Sequence, residues 1–272
     1  MRLLDSTITS VHNARVKAWA QLLDKKGRDK QGLFIIEGVH LIEEALASGQ
    51  AIETLVVAEE RQSELPAGLL EQAVAAGVEC IAVTEQVLAK CTDTLAPQAA
   101  FAVLPKLAWT PDDLAGDATA PSLVVVIDGI QDPGNLGTII RSADAVGATG
   151  VLLGKGTVDL YNPKTVRSTM GSLFHLPIAL GDLREELPLA AGQGAAIVTT
   201  SLQGKASCYD YDFRGPVWFV VGNEGQGVSA EVSALATEHI LIPMQGPAES
   251  LNAAMAATVV LFEAMRQRRA VK

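Results

Sequence analysis

The chain predicts an α/β protein: a mostly parallel sheet with helices on both faces over residues 122–272, preceded by a smaller α/β domain over residues 1–105. Three observations carry this. Continuous apolar runs such as Leu-Val-Val-Val-Ile at 123–127 suit strands buried on both faces. Such runs alternate with segments of helical spacing along most of the sequence. Residues 106–121, rich in Pro, Ala and Asp, have no sustained period and read as a linker.

In the first part, Phe-Ile-Ile-Glu-Gly at 34–38 predicts a strand, and residues 39–48 a helix with apolar positions at helical spacing. Residues 54–58, 80–83 and 101–104 predict further strands, and 65–76 and 85–91 helices. After the linker, strand 123–127 leads into helix 135–146, with Asn135 suited to its N-cap. Strand 150–153, helix 163–171 and the short strand 178–180 follow. Strands over 195–200, 217–221 and 239–242 complete the sheet. The Ala-rich helix after residue 251 closes the chain, with Ser250 and Asn252 at its mouth. Polar groups belong there, because the first N–H groups of a helix lack intrahelical partners.

Composition narrows the function. No run of eighteen apolar residues exists, so no membrane span is expected. The first residues lack a signal peptide's apolar core, which makes the cytoplasm the default. Three cysteines (Cys80, Cys91, Cys208) and four scattered histidines give no metal or disulfide spacing. The net charge of −10 argues against general coating of nucleic acid. Residues 1–30 are nonetheless locally basic, with Arg2, Arg15, Lys17, Lys25, Lys26, Arg28 and Lys30 against Asp5, Asp24 and Asp29. That excess fits phosphate tracking or a solvated basic helix equally well.

In an open parallel sheet, ligands bind beyond the carboxyl ends of the strands. Three loops stand at such ends. The first, D-G-I-Q-D-P-G-N-L-G-T-I-I-R at 128–141, combines turn-permitting glycines with Asn135 and, nearly two helical turns on, Arg141. Arg141 needs an anionic partner or exposure, and Asp144 three residues later is a local candidate. The second, V-V-G-N-E-G-Q-G-V at 220–228, lacks the dinucleotide spacing G-x-G-x-x-G, and Glu224 within it would repel a pyrophosphate. The third, I-P-M-Q-G-P-A-E-S-L-N-A-A-M-A-A at 242–257, reads by itself as a capped, buried helix start. Together the three form a pocket of backbone donors and acceptors that suits an adenine and an amino-acid moiety better than a triphosphate. No Walker-type Gly-Lys-Ser/Thr is present.

These three ordered motifs resemble the SpoU/TrmH group of SPOUT methyltransferases across residues 123–265. Residues 9–50 resemble, more loosely, the N-terminal substrate-binding domain of rRNA-directed members. The segment Asp159-Leu-Tyr-Asn-Pro-Lys-Thr-Val-Arg-Ser-Thr-Met-Gly171 looks like the family's loop between the first two motifs. The resemblance implies a C-terminal trefoil knot, S-adenosylmethionine as cofactor, a homodimer formed through the C-terminal domain, and methyl transfer to a ribose 2′-hydroxyl without metal. The implied target is RNA, 23S rRNA ahead of tRNA; a non-catalytic RNA-binding protein of the same fold and a nucleotide-dependent oxidoreductase are the other classes. The implied catalytic group is Asn135, Arg141, Glu224, Ser250 and Asn252. Cofactor contacts fall on Thr200, Gly222, Asn223, Gly227, Ile242, Met244 and Leu251, and RNA contacts on Arg15, Lys17, Lys25, Lys26, Arg28, Lys164 and Arg167. Because guanidinium is a poor base at neutral pH, Arg141 is read as orienting a phosphate and stabilising developing alkoxide charge.

Overall fold

A computed structural model describes residues 7–116, 120–201, 204, 206–247 and 250–269. These residues divide into two compact units, Met1–Leu107 with Asp159–Phe174, and Ala108–Val158 with His175–Lys272.

The first unit contains β1 (Thr7–Ile8), α1 (Ala14–Gln21), α2 (Lys25–Gln31), β2 (Leu33–Glu37), α3 (Val39–Ala47), β3 (Thr54–Ala58), α4 (Leu69–Ala75), β4 (Glu79–Val83), α5 (Glu85–Lys90) and β5 (Ala100–Pro105). Its sheet runs β1-β4-β3-β5-β2. β4 pairs in parallel with β1 and β3, whereas β5 is antiparallel to both β3 and β2. The predicted strands are present, each within one residue of its expected ends. The helix expected from residue 65 starts only at Leu69, since Gly68 at φ 87° cannot belong to a helical turn. Val16, Trp19, Val56, Val87, Leu88 and Phe101 build the core between α1, α5 and the sheet.

The second unit contains β6 (Leu123–Asp128), α6 (Pro133–Ala145) and β7 (Gly150–Leu153); α7 (Pro163–Thr169) falls in the first unit. It continues through β8 (Ile178–Leu180), α8 (Leu183–Gly192), β9 (Ala196–Thr200), β10 (Ala206–Ser207), β11 (Val217–Gly222), α9 (Ala230–Ser233), β12 (Glu238–Leu241) and α10 (Ala253–Arg269). The sheet order is β10-β12-β9-β11-β6-β7-β8 and every pairing is parallel. Fully buried strands explain why β6 and β11 read as unbroken apolar runs.

One reading needs correction here. α6 begins two residues before the expected start: Asp132 is its N-cap and accepts the Asn135 N–H, while Pro133 occupies N1, where its missing N–H costs nothing. The stretch read as a linker also contributes to packing. Leu114 is fully buried among Val124, Leu152 and Leu183, and Gly150 lies so close that a Cβ there would sit 2.7 Å from its Cδ2.

Candidate functional site

Strand order reverses direction from β6, with β7 and β8 on one side and β11, β9 and β12 on the other. At such a switch point the loops leaving neighbouring strands part and open a crevice. The loops after β6 and β11 are bound to each other there. Asn223 Nδ2 donates to Gly129 O (2.8 Å), and Ser229 N donates to Asp128 Oδ2 (2.7 Å). The 222–228 loop is itself a tight hairpin. Asn223 and Gly227 exchange backbone hydrogen bonds at 2.9 Å, and Asn223 Oδ1 accepts the N–H groups of Gly225 and Gln226. Gly227 has φ 71°, open to glycine at no steric cost. At Gly222 a Cβ would stand 2.2 Å from the backbone of Gly227 and Val228, so no side chain fits.

Glu224 stands where these loops meet. Its carboxylate accepts the backbone N–H of Gln131 (Oε2, 3.0 Å), that of Asp132 (Oε1, 3.0 Å) and Asn135 Nδ2 (Oε1, 3.0 Å). Burial pushes its pKa up, but the hydrogen bonds from Asn135, Asp132 and Gln131 outweigh that and hold it below the ordinary carboxylate value. The carboxylate also faces the amino end of α6, where the helix dipole favours negative charge. Asn135 Oδ1 in turn accepts Asn252 Nδ2 (2.9 Å), and Asn252 Oδ1 accepts the N–H groups of Ala254 and Met255 at the start of α10. A continuous chain, Glu224–Asn135–Asn252, therefore joins all three loops. The expectation of a capped final helix is met by Asn252, whose amide serves the cap and the chain at once.

Beside this chain lies a cleft of about 400 Å³ within the second unit, in the range of small-ligand sites. All seven residues read as cofactor contacts line it: Thr200, Gly222, Asn223, Gly227, Ile242, Met244 and Leu251. Glu224 and Ser250 line it too, and Ala253, Ala256 and Ala257 of α10 supply an apolar wall. Ala248 and Glu249 of the third motif lie outside the described residues. Arg141 is exposed on α6 and has no hydrogen-bond or ion-pair partner among the described residues. Its local candidate, Asp144, bonds His175 Nδ1 instead (2.8 Å).

The cations read as RNA contacts separate into groups. Lys17, Lys25, Lys26 and Lys164 are exposed. Lys25 pairs with Asp29, Arg15 with Glu79, and Arg167 with Glu37 and Asp93. Arg28 is a correction: it is 2% exposed, donates to the carbonyls of Leu22 and Leu23, and binds Asp159 Oδ2 through Nε and Nη2 at 3.0 and 2.6 Å. It holds the fold and offers nothing to a ligand. Sequence reasoning missed Asp128 and the N–H groups of Gln131 and Asp132 as the anchors of the loops. A carboxylate ending an apolar strand and followed by glycine was the signal for Asp128.

Among the described residues no helix is long and apolar enough to cross a membrane, and no group of three or more His, Cys, Asp or Glu is placed to hold a metal ion.

Residues 122–262 match the SpoU rRNA Methylase family, and residues 13–102 match the MRM3-like substrate binding domain. The chain is 37% identical over 255 residues to the 23S rRNA (guanosine(2553)-2′-O)-methyltransferase RlmP of Bacillus subtilis, covering 94% of this chain and 97% of the relative. It is 37% identical over 270 residues to a 23S rRNA (uridine(2479)-2′-O)-methyltransferase of Streptomyces viridochromogenes, covering 96% and 92%. Among solved structures, the SpoU methyltransferase AviRb from Streptomyces viridochromogenes in complex with AdoMet superposes with a TM-score of 0.85 at 34% identity, covering 95% of this chain and 99% of that one. An AdoMet-bound rRNA methyltransferase from Sinorhizobium meliloti gives the same TM-score and identity, covering 97% and 98%.

Proposed function

The chain belongs to the SpoU rRNA methylase family, and on that premise we propose that it methylates a ribose 2′-hydroxyl of 23S rRNA with S-adenosylmethionine as methyl donor. When bound, that cofactor supplies an electrophilic methyl group on a sulfonium. The chemistry of the cleft fits it: the alanines of α10 with Leu241 and Leu251 offer an apolar slot to a neutral base, and Thr200, Asn223 and the backbone at 222–227 offer polar partners. Thr200, Gly222, Asn223, Gly227, Ile242, Met244 and Leu251 are the residues assigned to hold it.

The observation that carries the reading is the Glu224–Asn135–Asn252 chain, which fixes three loops at one edge of the sheet. Methyl transfer is an in-line displacement, so holding the hydroxyl in place supplies much of the rate. Asn135, Ser250 and Asn252 position the ribose, Glu224 anchors the loops, and the exposed Arg141 binds the neighbouring phosphate and stabilises the developing alkoxide. The reaction needs no metal. Residues 1–105 grip the RNA and connect through 106–121 to the methyltransferase domain at 122–272; Lys17, Lys25, Lys26 and Lys164, with Arg15 and Arg167 alongside their carboxylates, are the assigned contacts.

The C-terminal domain is assigned a trefoil knot and a homodimer interface in the cytoplasm. The exposed Leu251, and Met255 and Phe262 seven residues apart on α10, support a partner seated on that helix. Calorimetry and ribose-methylation mapping test the whole. S-adenosylhomocysteine should bind while dinucleotides do not, and a strain lacking the chain should lose one 2′-O-methyl mark from 23S rRNA. A mark lost from tRNA instead would overturn the substrate. Sedimentation of the purified chain at monomer mass would remove the dimer.

A further inference from the structure

We propose that a cleft between α1 and α5, lined by His12, Lys17, Gln86 and Lys90, binds consecutive phosphates of the RNA backbone. The proposal rests on the RNA-directed function above and names where, on the first unit, the strand is held. The cleft measures about 560 Å³, with Val11 and Ala89 as its apolar lining. None of its lining residues is a carboxylate, on a chain whose net charge is −10.

The fold explains how these cations come together. Gln86, Ala89 and Lys90 lie three and four residues apart and so share one face of α5, while Val87, Leu88 and Cys91 turn into the core with Val16 of α1. Cys91 Sγ donates to Val16 O across the two helices (3.7 Å), and Asn13 caps α1 through the Arg15 N–H. Three carboxylates of the same unit face other cations. Glu79 holds Arg15, Glu85 faces Arg61 at 3.9 Å, and Asp93 binds Arg167 at 3.2 Å. Lys17 and Lys90 are exposed, with no ion-pair partner among the described residues. Lys90 also suits the negative end of α5, but Lys17 sits in the middle of α1, where the helix dipole gives no reason for a cation.

Two ammonium groups, an imidazole and an amide line an open cleft larger than a single small anion needs. They match a run of phosphodiesters whose sugars lie against Val11 and Ala89. Contacts of this kind fix register on the RNA without reading its sequence, leaving selection of the nucleotide to the other unit.

Filter binding of the full chain to an unmodified 23S rRNA transcript, repeated across a KCl series, tests the proposal. Each phosphate contact adds about 0.7–0.9 to the slope of log affinity against log salt, so Lys17→Ala combined with Lys90→Ala should lower that slope by roughly 1.5 and weaken binding about tenfold. S-adenosylhomocysteine affinity should stay unchanged. Arg214→Gln, which removes the same kind of charge from the second unit, should leave the slope alone; an equal fall there would overturn the cleft in favour of a general charge effect. If the double variant is destabilised, Lys17→Gln and Lys90→Gln tested singly should each lower the slope by about half as much. An unchanged slope in all three overturns the proposal while leaving the methyltransferase assignment intact. A wild-type chain that binds neither the transcript nor S-adenosylhomocysteine overturns both.

Discussion

Arg28 of the first unit and Arg141 of the second are used in opposite ways, although Arg184, Arg214 and Arg266 of the second unit also pair with carboxylates. In the first, Arg15, Arg28, Arg61 and Arg167 are each bonded to a carboxylate, and Arg28 is buried with every guanidinium nitrogen engaged. In the second, α6 carries Arg141 exposed and, among the described residues, unpartnered, on the same helix whose first turn is tied into the Glu224–Asn135–Asn252 chain. The loops at that edge satisfy one another so completely that Arg141 is not needed to hold them. An arginine the fold does not use, on an element the fold holds rigid, is available to a substrate. An arginine the fold uses fully is architecture, however basic its neighbourhood looks in the sequence.

Removing each residue in turn tests that contrast. Arg28→Ala leaves Asp159 without its partner in a site with little water, and breaking a buried pair costs about 3–5 kcal/mol. Thermal or denaturant unfolding should show that loss; a variant as stable as wild type would mean that Arg28 is not structural. Arg141→Ala should leave stability and S-adenosylhomocysteine affinity within about twofold of wild type but lower turnover by about 10²-fold or more, the scale of a lost transition-state donor. Near-normal turnover would end the Arg141 assignment.

Much of this was legible beforehand. The strands announce themselves as apolar runs, because a parallel sheet covered on both faces has no polar side, and the strand-end rule brings the three loops together. Partner choice was the illegible part. Nothing near Glu224 indicates that it will capture N–H groups 92 and 93 residues earlier. Likewise Arg28, in a run of lysines that looks solvated, finds Asp159 131 residues away. Such pairings follow from how elements pack and not from local pattern. The start of α6 was different. Asp132-Pro133 carries its own capping signal, and the attraction of Asn135 as a cap obscured it.

Glu224 gives the smallest effect and separates the two kinds of polar group most finely. Its pKa lies below the ordinary glutamate value, about 4.3, because the hydrogen bonds it accepts outweigh burial. A group depressed in the folded state contributes stability that is fully present above the unfolded pKa and is lost as pH falls through the folded one. The loop clamp should therefore be intact from neutral pH down to about 5, and should weaken only below about 4.3. Glu224→Gln keeps the shape but turns an acceptor into an amide donor facing donors. With the site partly exposed, the cost is about 1 kcal/mol, or roughly fivefold in S-adenosylhomocysteine affinity at neutral pH. Other titrating groups contribute equally to both chains, so the informative quantity is the difference in affinity between them. That difference should be constant between pH 8 and about 5 and should shrink only as acid removes the wild-type advantage. A difference that already vanishes between pH 7 and 6 would mean that Glu224 titrates as an unclamped, strongly desolvated acid, and the loops would need another anchor.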